Sequence, residues 1–539
     1  MKGTQVSEID NAEDIVRQKS KRFRLIVTVV VGLLIAGLIA LLISGGFGQP
    51  VVQQKPGSSD FAPPKGDVEQ TLAGYQSQEP DWRNCGDGFQ CATVLAPLNW
   101  NDLESEPIEL AMIRKPATGS NPLGSLFINP GGPGASGVEY ARYAGTNGLD
   151  DVLLKNYDII GWDPRGVGNS SAIDCFTDAE LDEQLFGFDD SINLKRGSDE
   201  WLQASEESAR TIAEACEKNS GDLIKYVSTD ETVQDLDMMR AIVGDEQLNY
   251  LGYSYGTYIG ARYADRFPEN AGRLVLDGAI DPQVTEREMI REQTKGFELA
   301  LRAYVTDCLT RSDCPFTGTV DEAMKQIGDM LDQVDAEPLQ ASDGRYVGSS
   351  TLLTAIITPL YNQDNWSYLD MLFQAIPQGD PDIALALADS YYSRDADGSY
   401  LDNSTVASWA INCLDYPTDA DVESMRAEAA ELEKLAPTIG RFQTYGGTFC
   451  ADWPGDSTEN REPVSAKGAN PILVIGTTGD PATPYLWAEA LADQLESGVL
   501  VTFKGEGHTA YGTSSCASRV IDEFLVEGTV PAQDPLCTE

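Results

Sequence analysis

Histidine is almost absent: the chain has 539 residues and one histidine, His508. With a single imidazole, and with no two of its ten cysteines in a C-x-x-C pair, the chain lacks the spacing of a zinc centre, and no metal or other cofactor is implied. Cations are also scarce. Lysine and arginine total 38 against 85 aspartate and glutamate, a formal charge of −47. A surface of that sign repels DNA, RNA and anionic headgroups, so nucleic acid is excluded as a partner. Solubility explains the charge adequately, and attraction of cationic substrates such as peptide amines stays open. There is no G-x-x-x-x-G-K-[ST] loop for phosphate, no internal repeat, and only one apolar run long enough to meet a bilayer.

That run is Leu25 to Ile43, nineteen residues without a charge, preceded by Arg17, Lys19, Lys21, Arg22 and Arg24. As a helix it would span about 28 Å, enough for a hydrocarbon core, and the basic cluster keeps the N-terminal side in the cytoplasm. The expectation is an uncleaved signal anchor over 25–44 behind a cytoplasmic tail of 1–24, with the catalytic part outside. Cleavage near residues 44–46, which would release a secreted protein, is the alternative. Residues 45–75 are rich in Gly, Pro, Gln and Ser and read as a flexible linker, with order beginning near Trp82. All ten cysteines lie beyond the apolar run, as an oxidising compartment would require. Sequence neighbours pair most simply, giving Cys85–Cys91, Cys175–Cys216, Cys308–Cys314, Cys413–Cys450 and Cys516–Cys537 as the hypothesis.

Beyond the linker, short buried-type strands alternate with helices. Ala92 to Leu98, Ile108 to Ile113, Ser125 to Ile128, Tyr157 to Trp162, Leu248 to Leu251 and Arg273 to Leu276 read as strands, and Thr229 to Val243 as a helix that Thr229 could cap. Such alternation indicates an α/β fold with a mostly parallel sheet covered on both faces. Helical patterns dominate 283–468, including Glu286 to Val305 and Thr319 to Val334, and this stretch reads as an inserted cap. Strands resume at Pro471 to Ile475 and Val499 to Phe503, and a last helix covers Ala517 to Val526. The core is therefore 76–282 plus 469–539.

Between strand and helix lies Gly252-Tyr253-Ser254-Tyr255-Gly256. A serine in G-x-S-x-G is held on a strained turn that the flanking glycines permit, with its hydroxyl exposed. Serine is a weak nucleophile unless a base lies within hydrogen-bond reach and a third group orients that base. His508, alone of its kind, follows the last long strand, and Asp480 follows the strand before it. Ser254, Asp480 and His508 thus occur in the order of an α/β-hydrolase triad, each on a turn after a strand. The oxyanion would need backbone N–H donors, expected from Tyr255 and from Gly131 and Gly132 in Asn129-Pro130-Gly131-Gly132-Pro133-Gly134.

Asn129 to Gly137 (NPGGPGASG), Trp162 to Ser170 (WDPRGVGNS), GYSYG, Leu276 to Pro282 (LDGAIDP) and the Asp480 and His508 loops resemble secreted tripeptidyl aminopeptidases. These belong to the proline-iminopeptidase branch of serine α/β-hydrolases and carry a C-terminal TAP-like segment, here 469–539. The resemblance covers roughly residues 80 to 539 and implies release of tripeptides from free N-termini through an acyl-enzyme beneath a helical cap. An aminopeptidase must hold an ammonium, for which Asp415 in Cys413-Leu414-Asp415-Tyr416 is the candidate, a solvated loop carboxylate being the plainer reading. Arg165 is expected to brace a loop. Two other readings stay open: an esterase or lipase using the same machinery, and a non-catalytic envelope-binding protein, against which the intact triad argues.

Overall fold

The computed structural model describes residues 60–538, apart from 65, 188–193, 456 and 458–460. The expected signal anchor lies outside the described residues, and among these no helix is long and apolar enough to cross a membrane.

One ten-stranded sheet organises the chain. Its N-terminal half comprises β1 (Arg83–Asn84), β2 (Gln90–Asn99), β3 (Asp102–Lys115), β4 (Ser125–Asn129), β5 (Asp158–Trp162), β6 (Leu248–Tyr253) and β7 (Ala271–Asp277). A two-stranded hairpin, β8 (Leu339–Gln340) and β9 (Tyr346–Val347), belongs to the cap. The main sheet then resumes with β10 (Ile472–Gly479), β11 (Gly498–Glu506) and β12 (Leu536–Cys537). The spatial order is β1-β2-β3-β5-β4-β6-β7-β10-β11-β12, antiparallel as far as β5 and parallel from there on.

Side-chain alternation builds both faces. Leu248 and Tyr250, Leu274 and Leu276, and Ile472 and Val474 join one core, while Leu251, Val275, Leu473 and Ile475 join the core on the opposite face. Strands buried on both sides need apolar residues throughout, which is why they read as continuous runs rather than as alternation with polar residues.

A third core lies in the cap, whose helices include Glu286–Cys308, Val320–Ala336, Ser349–Leu360, Trp366–Ala375 and Asp382–Tyr391. Thr319, expected as the first residue of a helix, instead caps it: Thr319 and Glu322 form a reciprocal capping box at Val320–Ala336. At Thr229–Val243 the cap is instead Ser228, one residue earlier than expected.

Two boundaries differ from the sequence reading. Order starts before Trp82: Thr71 caps a short helix, Leu72–Gln76, whose Tyr75 is fully buried against Trp100. The supposed linker therefore ends in a packed anchor, because Tyr75 and Val68 supply apolar surface that the polar composition around them disguises. The cap also recruits residues placed in the core. Phe186 lies in the cap's apolar cluster, and Asp182 receives a bidentate pair from Arg394 at 2.7 Å. All five proposed disulfides are present with the expected pairing.

Candidate active site

β6 ends at Tyr253 and the helix Tyr255–Arg266 begins two residues later, so Ser254 carries the whole change of direction. Its φ of 54° and ψ of −124° are a conformation that a side-chain-bearing residue adopts at a cost of order 1–3 kcal/mol. Two bonds hold it there: the Ser254 N–H donates to the Asp277 carbonyl at 2.9 Å, and the Ser254 carbonyl accepts from Thr257. Gly256 must be glycine because an added Cβ would lie 2.7 Å from Asn129 Oδ1. The Ser254 side chain remains partly exposed, open to a substrate.

The loop after β4 packs directly on this turn. A Cβ on Gly131, whose φ is +97°, would meet the Tyr253 carbonyl at 2.6 Å and the Tyr255 nitrogen at 3.0 Å. The loop thus approaches the nucleophile backbone to backbone. Of the three amides expected to stabilise an oxyanion, Gly131 is otherwise engaged: its N–H donates to Asn129 Oδ1 at 2.9 Å. The asparagine side chain folds back on its own loop, a local bond that the sequence reading did not weigh. Gly132 follows with φ +110°, and Tyr255 supplies the first amide of the helix, the end that carries partial positive charge.

Asp163 fixes the same loop from below. Its carboxylate accepts from Ser136 Oγ at 2.5 Å, Val138 N–H at 3.0 Å and Asn169 N–H at 2.7 Å. Arg165, fully buried, makes a bidentate pair with Asp235 at 2.7 Å and a third contact to Glu231 at 3.1 Å. It braces its own loop, after β5, by salt bridges to the helix Thr229–Val243, as expected.

Asp480 and His508 meet where β10 and β11 end. His508 Nδ1 lies 2.8 Å from Asp480 Oδ2 and 3.0 Å from Oδ1. The carboxylate is nearly inaccessible and is further fixed by the amides of Ala482 and Thr483 at 2.9 and 2.8 Å. Burial alone would depress the imidazole's pKa, but the Asp480 charge and hydrogen bond, with Asp277 behind it, outweigh burial and raise it above 6.5. His508 Nε2 is buried without a hydrogen-bond partner among the described residues. With Nδ1 committed to Asp480, Nε2 is the nitrogen left to accept a proton.

Two further residues touch this histidine, and a third holds the loop that follows it. Thr483 Oγ1 donates to Asp480 Oδ2 at 2.9 Å and stands 3.2 Å from His508 Nδ1. Tyr361, at the end of a cap helix, accepts the His508 N–H on its carbonyl at 2.8 Å and sets its ring edge-on to the imidazole, centroids 5.4 Å apart. The Asp277 carboxylate accepts from the N–H groups of Ala510 and Tyr511, in the loop after the histidine. Sequence signalled only Asp277, which follows a buried strand as Asp480 does; nothing in the chain marks Tyr361, which reaches the site from the cap.

Asp415 sits elsewhere than on a solvated loop. It ends the helix Ser404–Asp415, is 1 % exposed, and accepts from Thr229 N–H at 2.8 Å and Thr229 Oγ1 at 2.6 Å. Thr229 Oγ1 also bonds the Tyr255 hydroxyl. The carboxylate therefore holds the first residue of the helix Thr229–Val243, and through Thr229 Oγ1 it is linked to the residue after the nucleophile.

Comparison with known proteins agrees with this geometry. Residues 124–349 match the family described as alpha/beta hydrolase fold, and residues 436–537 match the family described as TAP-like protein, which begins within the cap rather than at β10. The chain is 35 % identical to serine protease Hip1 of Mycobacterium tuberculosis over 84 % of this chain and 87 % of that one. It is 34 % identical to a protein named carboxylesterase B from the same organism, over 94 % and 96 %. Tripeptidyl aminopeptidase of Streptomyces lividans is 28 % identical over 85 % and 86 %.

Proposed function

Since the chain belongs to the TAP-like family of α/β-hydrolases and is a serine hydrolase, we propose that it is an extracytoplasmic exopeptidase that releases tripeptides from free N-termini. The observation that carries the chemistry is the Asp480–His508 pair, with Nδ1 engaged and Nε2 unpartnered, on the turns after β10 and β11, at the same end of the parallel strands as the turn after β6 that bears Ser254.

In this reading Ser254 Oγ attacks the scissile carbonyl as its proton passes to His508 Nε2, and the oxyanion is received by the Tyr255 and Gly132 amides. The imidazolium, stabilised by Asp480, then protonates the leaving amine as the C–N bond breaks. Water enters, His508 takes its proton, and the ester to Ser254 is hydrolysed. Five disulfides in the described part favour an oxidising compartment, and the apolar run 25–43 behind five basic residues favours a membrane anchor with a cytoplasmic N-terminus. Cleavage near residues 44–46 would instead secrete the enzyme.

The carboxylesterase-named relative keeps ester hydrolysis as the second reading. Both are tested with a chromogenic tripeptide amide bearing a free amine, its N-acetylated twin and a short-chain ester, with Ser254→Ala as control. Cleavage of the free-amine peptide alone, lost in the variant, is expected. Turnover of the ester without either peptide would move the enzyme to the esterases.

A further inference from the structure

Asp277 is the last residue of β7 and is completely buried. Its carbonyl accepts the Ser254 N–H at 2.9 Å. Its carboxylate accepts the Ala510 N–H at 2.9 and 3.1 Å and the Tyr511 N–H at 2.8 Å, the second and third residues after His508. No lysine or arginine faces it among the described contacts; the groups facing it are the phenols of Tyr140 and Tyr253, the Asp480 carboxylate and the imidazole. A buried carboxylate held only by amides is costly, and a main-chain turn needs no charge to hold it. The hydrolytic steps described above leave this group without work.

Its position suggests the work. β7 lies between β6, which carries Ser254, and β10, which carries Asp480. Neighbouring strands are about 4.8 Å apart, so the nucleophile and the acid stand on strands separated by about 10 Å, and the histidine must be held across that gap. Resting on the serine-hydrolase reading, we propose that Asp277 is a positioning residue for the reaction. Its main chain holds the nucleophile's turn, its carboxylate holds the histidine's loop, and its charge, added to that of Asp480, supports the imidazolium that forms during acylation.

The two effects are separable. A structural tie would slow the enzyme equally at every pH, whereas a charge acting on the imidazole changes the pH at which His508 gains its proton. The other groups facing the imidazole are Asp480 from β10, Thr483 beside it and Tyr361 from the cap, whose phenol is pushed well above its usual range by burial and stays neutral. Burial also lifts the Asp277 carboxyl, to about 6, with the Tyr511 and Ala510 amides and the imidazole opposing the rise.

Because the chain has one histidine, selective isotope labelling of histidine yields a single imidazole in an NMR titration. Asp277→Asn keeps the size of the side chain but removes the charge and leaves one acceptor for two amides. In that variant the His508 midpoint should move to lower pH, the acid limb of kcat/KM should move with it, and kcat above the limb should fall on the order of 10- to 100-fold. A folded variant with an unchanged midpoint and limb would overturn the proposal. Should the variant not fold, the unmodified protein decides: its imidazole signal should register a second ionisation near pH 6, and a single-step titration would overturn the proposal. The NMR arm needs no substrate. A protein that cleaves nothing would therefore sink the hydrolase reading while still reporting on the Asp277 charge.

Discussion

At the scale of single residues, the reactive end of the sheet is built from backbone as much as from side chains. Gly131 shows this most sharply, since the loop touches the nucleophile's turn where any Cβ would collide. Gly131→Ala should push the Gly132 amide away from the developing oxyanion and lower kcat by on the order of 10²-fold, with KM changed much less; steady-state kinetics on the free-amine tripeptide amide would check it. The histidine gives a second expectation. Its raised pKa means that the protonated, inactive form persists to higher pH than a free imidazole would allow. kcat/KM should therefore fall with decreasing pH through a midpoint above 6.5, and a midpoint at or below 6.5 would contradict the paired carboxylate's dominance over burial. Residue types and order singled out Ser254, Asp480 and His508 as candidates, because each follows an apolar strand, and the pairing of Asp480 with His508 is present. They could not reveal that the Gly131 amide donates to Asn129, or that Asp415 accepts from Thr229, since both depend on where a side chain turns.

At the scale of elements, the parallel strands were legible because two-sided burial writes itself as uninterrupted Val, Ile and Leu. The edges were not. β3 runs to Lys115 through Glu104, Glu106 and Glu109, whose exposed faces hide a fourteen-residue strand behind polar residues. The helix Leu72–Gln76 escaped for a related reason: five residues give no periodicity, and only its burial shows that Tyr75 fills a gap beside Trp100. Tyr75→Ala should thus cost about 3–5 kcal/mol in chemical denaturation, as truncation of a core aromatic does. A loss under about 1 kcal/mol would return this segment to the linker. The contribution of Phe186 and Asp182 to the cap was equally hidden, because their partners lie some two hundred positions away in the chain.

At the scale of the whole molecule, acidity and burial act in the same direction. Burial lifts Asp277 to about 6 and Asp522, Glu139 and Glu286 to about 7, with like-charged neighbours adding to the rise in each of the last three. A carboxyl whose folded pKa is raised stabilises the fold below its unfolded value, near 4, and loses that contribution as pH climbs through the folded value. The raised His508 adds a term of the same sign above 6.5. A formal charge of −47 adds self-repulsion as the last protons leave. The melting temperature should accordingly be higher at pH 5.5 than at pH 8, by calorimetry at fixed ionic strength, and an equal or lower value at pH 5.5 would refute this account. The cap bears on the whole molecule in another way. Tyr361 holds the His508 N–H on its own carbonyl, so the cover and the base are latched to one another. An enzyme so built has an interlock: swinging the cover wide enough to admit a folded neighbour would unseat the base, and the exposed serine would be inert for as long as the door stood open.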